Sequence, residues 1–203
     1  ADIIHNNLSN KLLKVDMNKR VQKLDNVDSE LILKKHINLI NCSKANLSLR
    51  AQKVYDSLLV AAVDALSAGH VGEWFTIDSV QLREIMKIKK IRESEITESL
   101  KALNSTPYVS VRIREDIEEW SGSNLVSEWS FKKRRFSTDI LEAKFKLPDM
   151  IRENIARPQI YANLNLGVMN KYKSKYAYAL HPFLKANFFD YNFTKVLTLK
   201  EIR

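Results

Sequence analysis

Cysteine is almost absent from this chain: Cys42 stands alone among 203 residues. A lone thiol forms no intrachain disulfide, so the fold must rest on its core, and a reducing cytoplasm is the expected setting. Cys42 itself reads as a small buried side chain. Histidine occurs only as His5, His36, His70 and His181, never at metal-ligand spacing, so no zinc set can be written. No metal and no other cofactor is expected. The four glycines build neither a P-loop nor a dinucleotide fingerprint, and with only four prolines there is no long flexible linker. No apolar run approaches the roughly 18 residues of a membrane span. The N-terminus lacks the apolar stretch of a signal peptide. Glu118 and Glu119 are adjacent and read as solvated charge rather than a catalytic pair.

Positive charge, by contrast, is plentiful. Lys and Arg number 33 against 24 Asp and Glu, a net +9, which points to a polyanionic partner and says nothing of fold. The excess is uneven. Residues 148–203 carry nine bases against four acids, and residues 125–147 carry six against three. At 45% hydrophobic residues the chain can still bury one full core, with room for a second small domain.

The chain is organised around Trp74 to Leu147. Ahead of it, Ser48–Ala68 carries Ala51, Val54, Tyr55, Leu58, Leu59, Ala62, Ala65 and Leu66 at a 3.6-residue period, the stripe of a core helix. Ser48 is placed to cap it and Gly69 to end it in the left-handed conformation. Trp74 opens a short strand. Asp78 with Gln81 then makes a capping box before Leu82, Ile85 and Met86. The KIKKIR turn (87–92) follows, and Ser94 is expected to cap a second helix that buries Ile96, Leu100 and Leu103 and stops at Pro107. PYVSVRI reads as a strand and EDIEEWSGS (115–123) as an acidic loop. VSEWSF and ILEAKF alternate as a hairpin, with Trp129, Phe131, Leu141, Ala143 and Phe145 available to the core and KKRRFSTD between them. Helix, strand, helix, helix, strand, wing, strand is the order of an α+β winged-helix domain, a helix-turn-helix with an added hairpin.

That fold puts Lys132, Lys133, Arg134 and Arg135 at the hairpin tip, where four consecutive bases suit a phosphate-gripping wing. Lys87, Lys89 and Lys90 in the turn, Lys101 on the second helix, and Lys173 and Lys175 further on complete the expected DNA-contacting set. The second helix itself is a poor base reader. Its exposed face offers Ser94, Glu98, Lys101 and Ser105 rather than an Arg, Asn or Gln array, and Glu93 and Glu95 crowd the N-terminal turn that phosphates would approach.

Flanking this domain, residues 1–36 read as a helical or partly ordered arm with Leu8, Leu12, Val15, Val21 and Leu24 at helical spacing. HINLINC (36–42) reads as an entering strand. LPDMIRENIARP (147–158) reads as a short helix stopped by Pro158. The following YANLNLGVMNKYKSKYAYALHPFLKANFF reads as two helical pieces broken near Lys173–Ser174, with Pro182 kinking the second. Thr198 and Glu201 form a capping box with only two residues after it, so a second domain is expected to begin at 173–203 and remain unfinished. The domain layout expected is thus an arm at 1–36, a winged helix at 37–172 and the start of another at 173–203.

Lys173-Ser174-Lys175-Tyr176-Ala177, with Leu180 and Phe183-Leu184 after it, resembles the signature of the iteron-binding replication initiators of theta-replicating plasmids. The Tyr161–Met169 segment, the LSLRAQKVYDSLL helix and the Trp-containing hairpin are similar to that family too, so the likeness spans about residues 37–203. His181 stands where the family usually has Tyr. The resemblance implies a bacterial cytoplasmic protein with two tandem winged helices. The first would support dimerisation and backbone contact, and the second would read directly repeated iterons in origin DNA. It also implies a homodimer acting as autorepressor, a monomer opening the origin, and host helicase, host initiator and DnaK-type chaperones as partners. No membrane role is implied. Two other readings stand beside it. A winged-helix transcriptional repressor or partitioning factor would share the fold. Tyr172-Lys-Ser-Lys175-Tyr176 also has the Tyr-x-x-Lys-Tyr spacing that resembles rolling-circle nickases, but such chemistry needs a metal held by closely spaced histidines, and no His-x-His occurs. The expectation is a DNA-binding protein that is not an enzyme.

Overall fold

A computed structural model describes residues 31–41, 46–114, 117–136, 140–157 and 160–187. In chain order its elements are β1 (Ile32–His36), α1 (Ile37–Asn41), α2 (Leu49–Ser67), β2 (Trp74–Asp78), α3 (Ser79–Met86), α4 (Glu93–Ser105), β3 (Pro107–Arg114), β4 (Ile117–Asn124), β5 (Glu128–Lys133), β6 (Ile140–Lys146), α5 (Asp149–Ala156), β7 (Tyr161–Asn165), α6 (Leu166–Met169) and α7 (Lys175–Asn187). Residues 1–30, Cys42 and the Thr198–Glu201 capping box lie outside the described residues.

Helix α2 is the axle. Its stripe of Ala51, Val54, Tyr55, Leu58, Leu59 and Ala62 is buried, and β1, β2, α3, α4, α5 and α7 all pack on it. Ser48 Oγ accepts from the Ala51 amide at 3.1 Å. At the other end the Gly69 amide donates to Leu66 O at 3.0 Å and the His70 amide to Ala65 O at 2.9 Å. This pair of bonds needs a left-handed residue, which Gly69 supplies at φ 86°. The expected capping box also forms: Asp78 Oδ1 accepts from the amides of Val80 and Gln81, and Gln81 Oε1 accepts from the Asp78 amide. The turn ends α3 through Lys87 in the left-handed region, φ 53°.

Three antiparallel sheets surround these helices, ordered β1-β7, β2-β6-β5 and β3-β4. In the middle sheet Phe75 faces Phe145 in register, and their rings lie 5.6 Å apart. The β5–β6 hairpin is the wing. Trp129 and Phe131 stack nearly parallel beside the core, with centroids 6.2 Å apart.

Several expectations are corrected. The HINLINC segment is a strand only to His36; Ile37–Asn41 is a helix, because Leu39 and Ile40 are neighbours buried together and a strand would put them on opposite faces. The last residues of the expected arm, Ile32–His36, form β1 and pair with Tyr161–Asn165, so that segment is also a strand rather than part of a helical piece. Helix α4 starts one residue before Ser94: Glu95 reaches back to accept from the Arg92 amide at 3.0 Å, so the cap comes from the carboxylate and not from Ser94. The acidic stretch 115–123 is largely strand β4, paired with β3 from Pro107↔Asn124 to Arg114↔Ile117. Leu141 faces solvent while Ile140 takes the core position, because the ladder shifts register at Lys132/Lys133 and inverts the alternation. Helix α7 lies on α1, α2 and β7, and its Tyr178 is part of the core that holds α2.

Candidate nucleic-acid interface

The two strands of the wing leave the core at Ile140 and Phe131 and carry the expected bases outward. All four are exposed, yet they differ in what they touch. Lys132 Nζ lies 3.5 Å from Glu142 on the facing strand. Lys133 Nζ lies 2.6 Å from Glu93 in the first turn of α4. Arg134 and Arg135 meet no carboxylate among the described residues, and the Arg135 guanidinium sits 5.1 Å from the centre of the Phe136 ring. Among the described residues, the wing's cations without a carboxylate partner are therefore the two at its tip.

The first turn of α4 is less repellent than its composition suggests. Glu93 is held by Lys133, and Glu95 lies 3.0 Å from Arg50 on α2. Each acid is paired with a base. Lys133–Glu93 also bridges the wing to the N-terminal end of the helix. The α4 face remains as read from sequence: Ser94, Glu98, Lys101 and Ser105 are exposed, with no array of base-reading side chains. Lys87, Lys89 and Lys90 line the turn that leads into α4 and are exposed. These, Lys101 and the wing belong to one helix-turn-helix-and-hairpin unit. Lys173 and Lys175 do not: they lie at the start of α7, on the side formed by α1, α2 and β7, and the Lys175 ammonium rests 5.1 Å from the Tyr176 ring centre. Among the described residues no three His, Cys, Asp or Glu side chains gather as a metal site, and no helix is long and apolar enough to cross a membrane.

Sequence reasoning missed a buried polar cluster behind this unit. Lys35 on β1 forms an ion pair with Asp56 Oδ1 on α2, and the Tyr178 hydroxyl of α7 donates to Asp56 Oδ2 at 2.9 Å. The Lys35 ammonium also lies 5.4 Å from the Tyr55 ring centre. Burial, and then the Asp56 charge, push the Tyr178 hydroxyl well above its ordinary pKa. Two signals were present: Lys35 shares the inward parity of Leu33 in β1, and Asp56 interrupts the apolar stripe of α2. A second lysine, Lys53, ties the chain ahead of α7 to α2 by donating to Asn170 O at 2.7 Å and Tyr172 O at 3.3 Å. Burial, with Arg50 nearby, lowers its pKa. His181, where the resemblance leads one to expect Tyr, makes a polar link of its own: its Nδ1 lies 3.0 Å from the Tyr172 hydroxyl.

Compared with known proteins, residues 32–185 match the family model described as initiator replication protein, WH1. No curated protein and no solved structure matches the chain. The matched span begins at β1 and ends within α7, so it takes in the whole packed core, wing and cluster included. The chain therefore belongs to the initiator replication protein family, with residues 32–185 as its WH1 domain.

Proposed function

We propose that this protein is a plasmid replication initiator that binds duplex DNA at the direct repeats of an origin, without catalysing a reaction. The observation that carries the reading is the wing tip. Arg134 and Arg135, exposed and unmatched by acids among the described residues, stand beside an α4 whose first-turn carboxylates are already paired. Such a unit grips phosphates and positions a protein on the duplex, while its helix contributes little base discrimination. Sequence choice then falls to a further domain outside 32–185. Footprinting on DNA with direct repeats, against DNA with a palindromic operator, tests the reading. Protection of the palindrome alone would favour a transcriptional repressor or partitioning factor on the same fold. Metal-dependent nicking of supercoiled plasmid, lost in Tyr176→Phe, would overturn the non-catalytic reading.

The same protein is proposed to dimerise through β3–β4. Val109, Ile117 and Trp120 are exposed, Trp120 by 67%. The ribbon has two strands and, among the described residues, no third. An isolated two-stranded ribbon with unpaired edges is marginal in water, and a second copy would cover it. Sedimentation at tens of micromolar showing monomer alone would count against this interface.

A further inference from the structure

We infer that the wing tip is a wedge as well as a clamp: Phe136 enters the minor groove and partly unstacks one base step, with Arg134 and Arg135 on the flanking phosphates. This rests on the reading of the protein as a duplex binder and deepens it. Phe136 is 95% exposed, so its ring gains nothing from the core. Its backbone is left-handed at φ 64°, a conformation that a bulky L side chain resists and a glycine takes freely. Lys87, the other non-glycine residue with positive φ among those described, ends helix α3 and so has a folding reason for it. Phe136 stands in the hairpin turn, where a left-handed residue is ordinary but is usually glycine or asparagine. The position thus sacrifices both backbone ease and apolar burial to hold an aromatic ring in solvent at the narrow end of a hairpin.

Its neighbours say what the ring meets. Lys132, Lys133, Arg134 and Arg135 precede it directly, and the Arg135 guanidinium lies 5.1 Å from the ring centre. Cations this dense select a polyanion, and the polyanion that also offers flat apolar faces is nucleic acid. Arginine is drawn to narrow minor grooves, and apolar side chains there pry steps apart, most easily at flexible TA steps. The minor groove, about 6 Å wide, excludes two full strands but admits a single projecting side chain such as Phe136.

The test uses the full 203-residue chain and a 25-base-pair duplex, on the order of two turns, with 2-aminopurine at a central TA step. Binding of the unaltered protein should raise the fluorescence. Phe136→Gly should bind about tenfold more weakly, the scale of one lost stacking contact. It should abolish the fluorescence rise, leave the salt dependence unchanged and raise the melting temperature, because the left-handed strain is gone. Phe136→Leu, which keeps an apolar wedge, should restore most of the signal. If the unaltered chain binds no duplex, this inference and the proposed function fall together. If it binds, and Phe136→Gly binds as tightly with the same fluorescence, the wedge alone is overturned. Unchanged DNA binding by Phe136→Gly with lost binding to vesicles of phosphatidylcholine and phosphatidylserine would assign the ring to a membrane surface and also overturn it.

Discussion

Two hairpins leave the same body and are built on opposite plans. In the wing, β6 is shared with β2, so Ala143 and Phe145 sit in the core and only the tip is free. Its exposed end is cationic. In β3–β4 the two strands pair only with each other among the described residues, and the ribbon is held at its base: Tyr108 is buried and its hydroxyl accepts from Asn154 Nδ2 of α5 at 2.9 Å. Most of β4 is exposed, and its side chains include Trp120 and Ile117. A hairpin braced by a third strand can present charge at a fixed angle, since its position does not depend on what it binds. A ribbon without that brace gains order when something covers it. Under the proposed function the contrast becomes a division of labour, with one hairpin for a phosphate backbone and the other for a second copy of the chain.

The largest effect should come from a change that touches neither hairpin. Asp56→Ala leaves Lys35 charged and buried without its acid, a loss of about 3–5 kcal/mol, read by urea unfolding. DNA binding and self-association should then fail together. Loss of one alone would show that the hairpins do not share a body. Tyr178 adds a pH signature. Its folded pKa is raised, so its contribution is complete below the unfolded value of about 10 and fades as pH climbs above it. Stability should decline above about pH 10, more steeply than in Tyr178→Phe.

Next in size, Arg134→Ala with Arg135→Ala should flatten the log–log salt dependence of duplex binding by about 1.8, at about 0.9 per phosphate. Lys132→Ala with Lys133→Ala should change it less, because Glu142 and Glu93 already engage those ammoniums. Sedimentation of both variants should be unaltered. Trp120→Arg should do the reverse, weakening a dimer at least tenfold, as expected for a buried aromatic anchor, while the salt slope per protomer stays put. A variant that moves both readouts would break the comparison. The smallest effect belongs to Lys133–Glu93, an exposed pair whose coupling in a double-mutant cycle should be about 0.2–1 kcal/mol.

Much of this was legible in the chain. The α2 stripe, the Asp78–Gln81 box, the Gly69 terminator and the basic tip are local signals, written within a few residues of where they act. Strand β4 was not, because four acids and two bases across the turn mask an alternation that becomes visible only once the register with β3 is known. The β1–β7 pair was equally hidden. Leu33 meets Leu164 across more than a hundred residues, and no short window carries such a pairing. Lys35 was missed for a different reason: lysine inside a core is rare, and only its partners on α2 and α7 make it tolerable. On the site, the run of bases is visible in the sequence but the acids that meet it are not: Glu142 and Glu93 engage Lys132 and Lys133, while Arg134 and Arg135 meet no carboxylate among the described residues.

The Lys35–Asp56–Tyr178 cluster also sets a clock on biosynthesis. Lys35 and Asp56 leave the ribosome well before Tyr178, which lies 122 residues beyond Asp56. At about 5–20 residues per second, the nascent chain carries the ion pair without its third member for about 6–24 s. For most of that interval Asp56 is half satisfied and β1 has no β7 beside it. The emerging polypeptide is then open to proteases and to chaperones that hold extended chains. Its native state closes only when helix α7 arrives, so the order of translation, rather than any local propensity, decides when this domain becomes a domain.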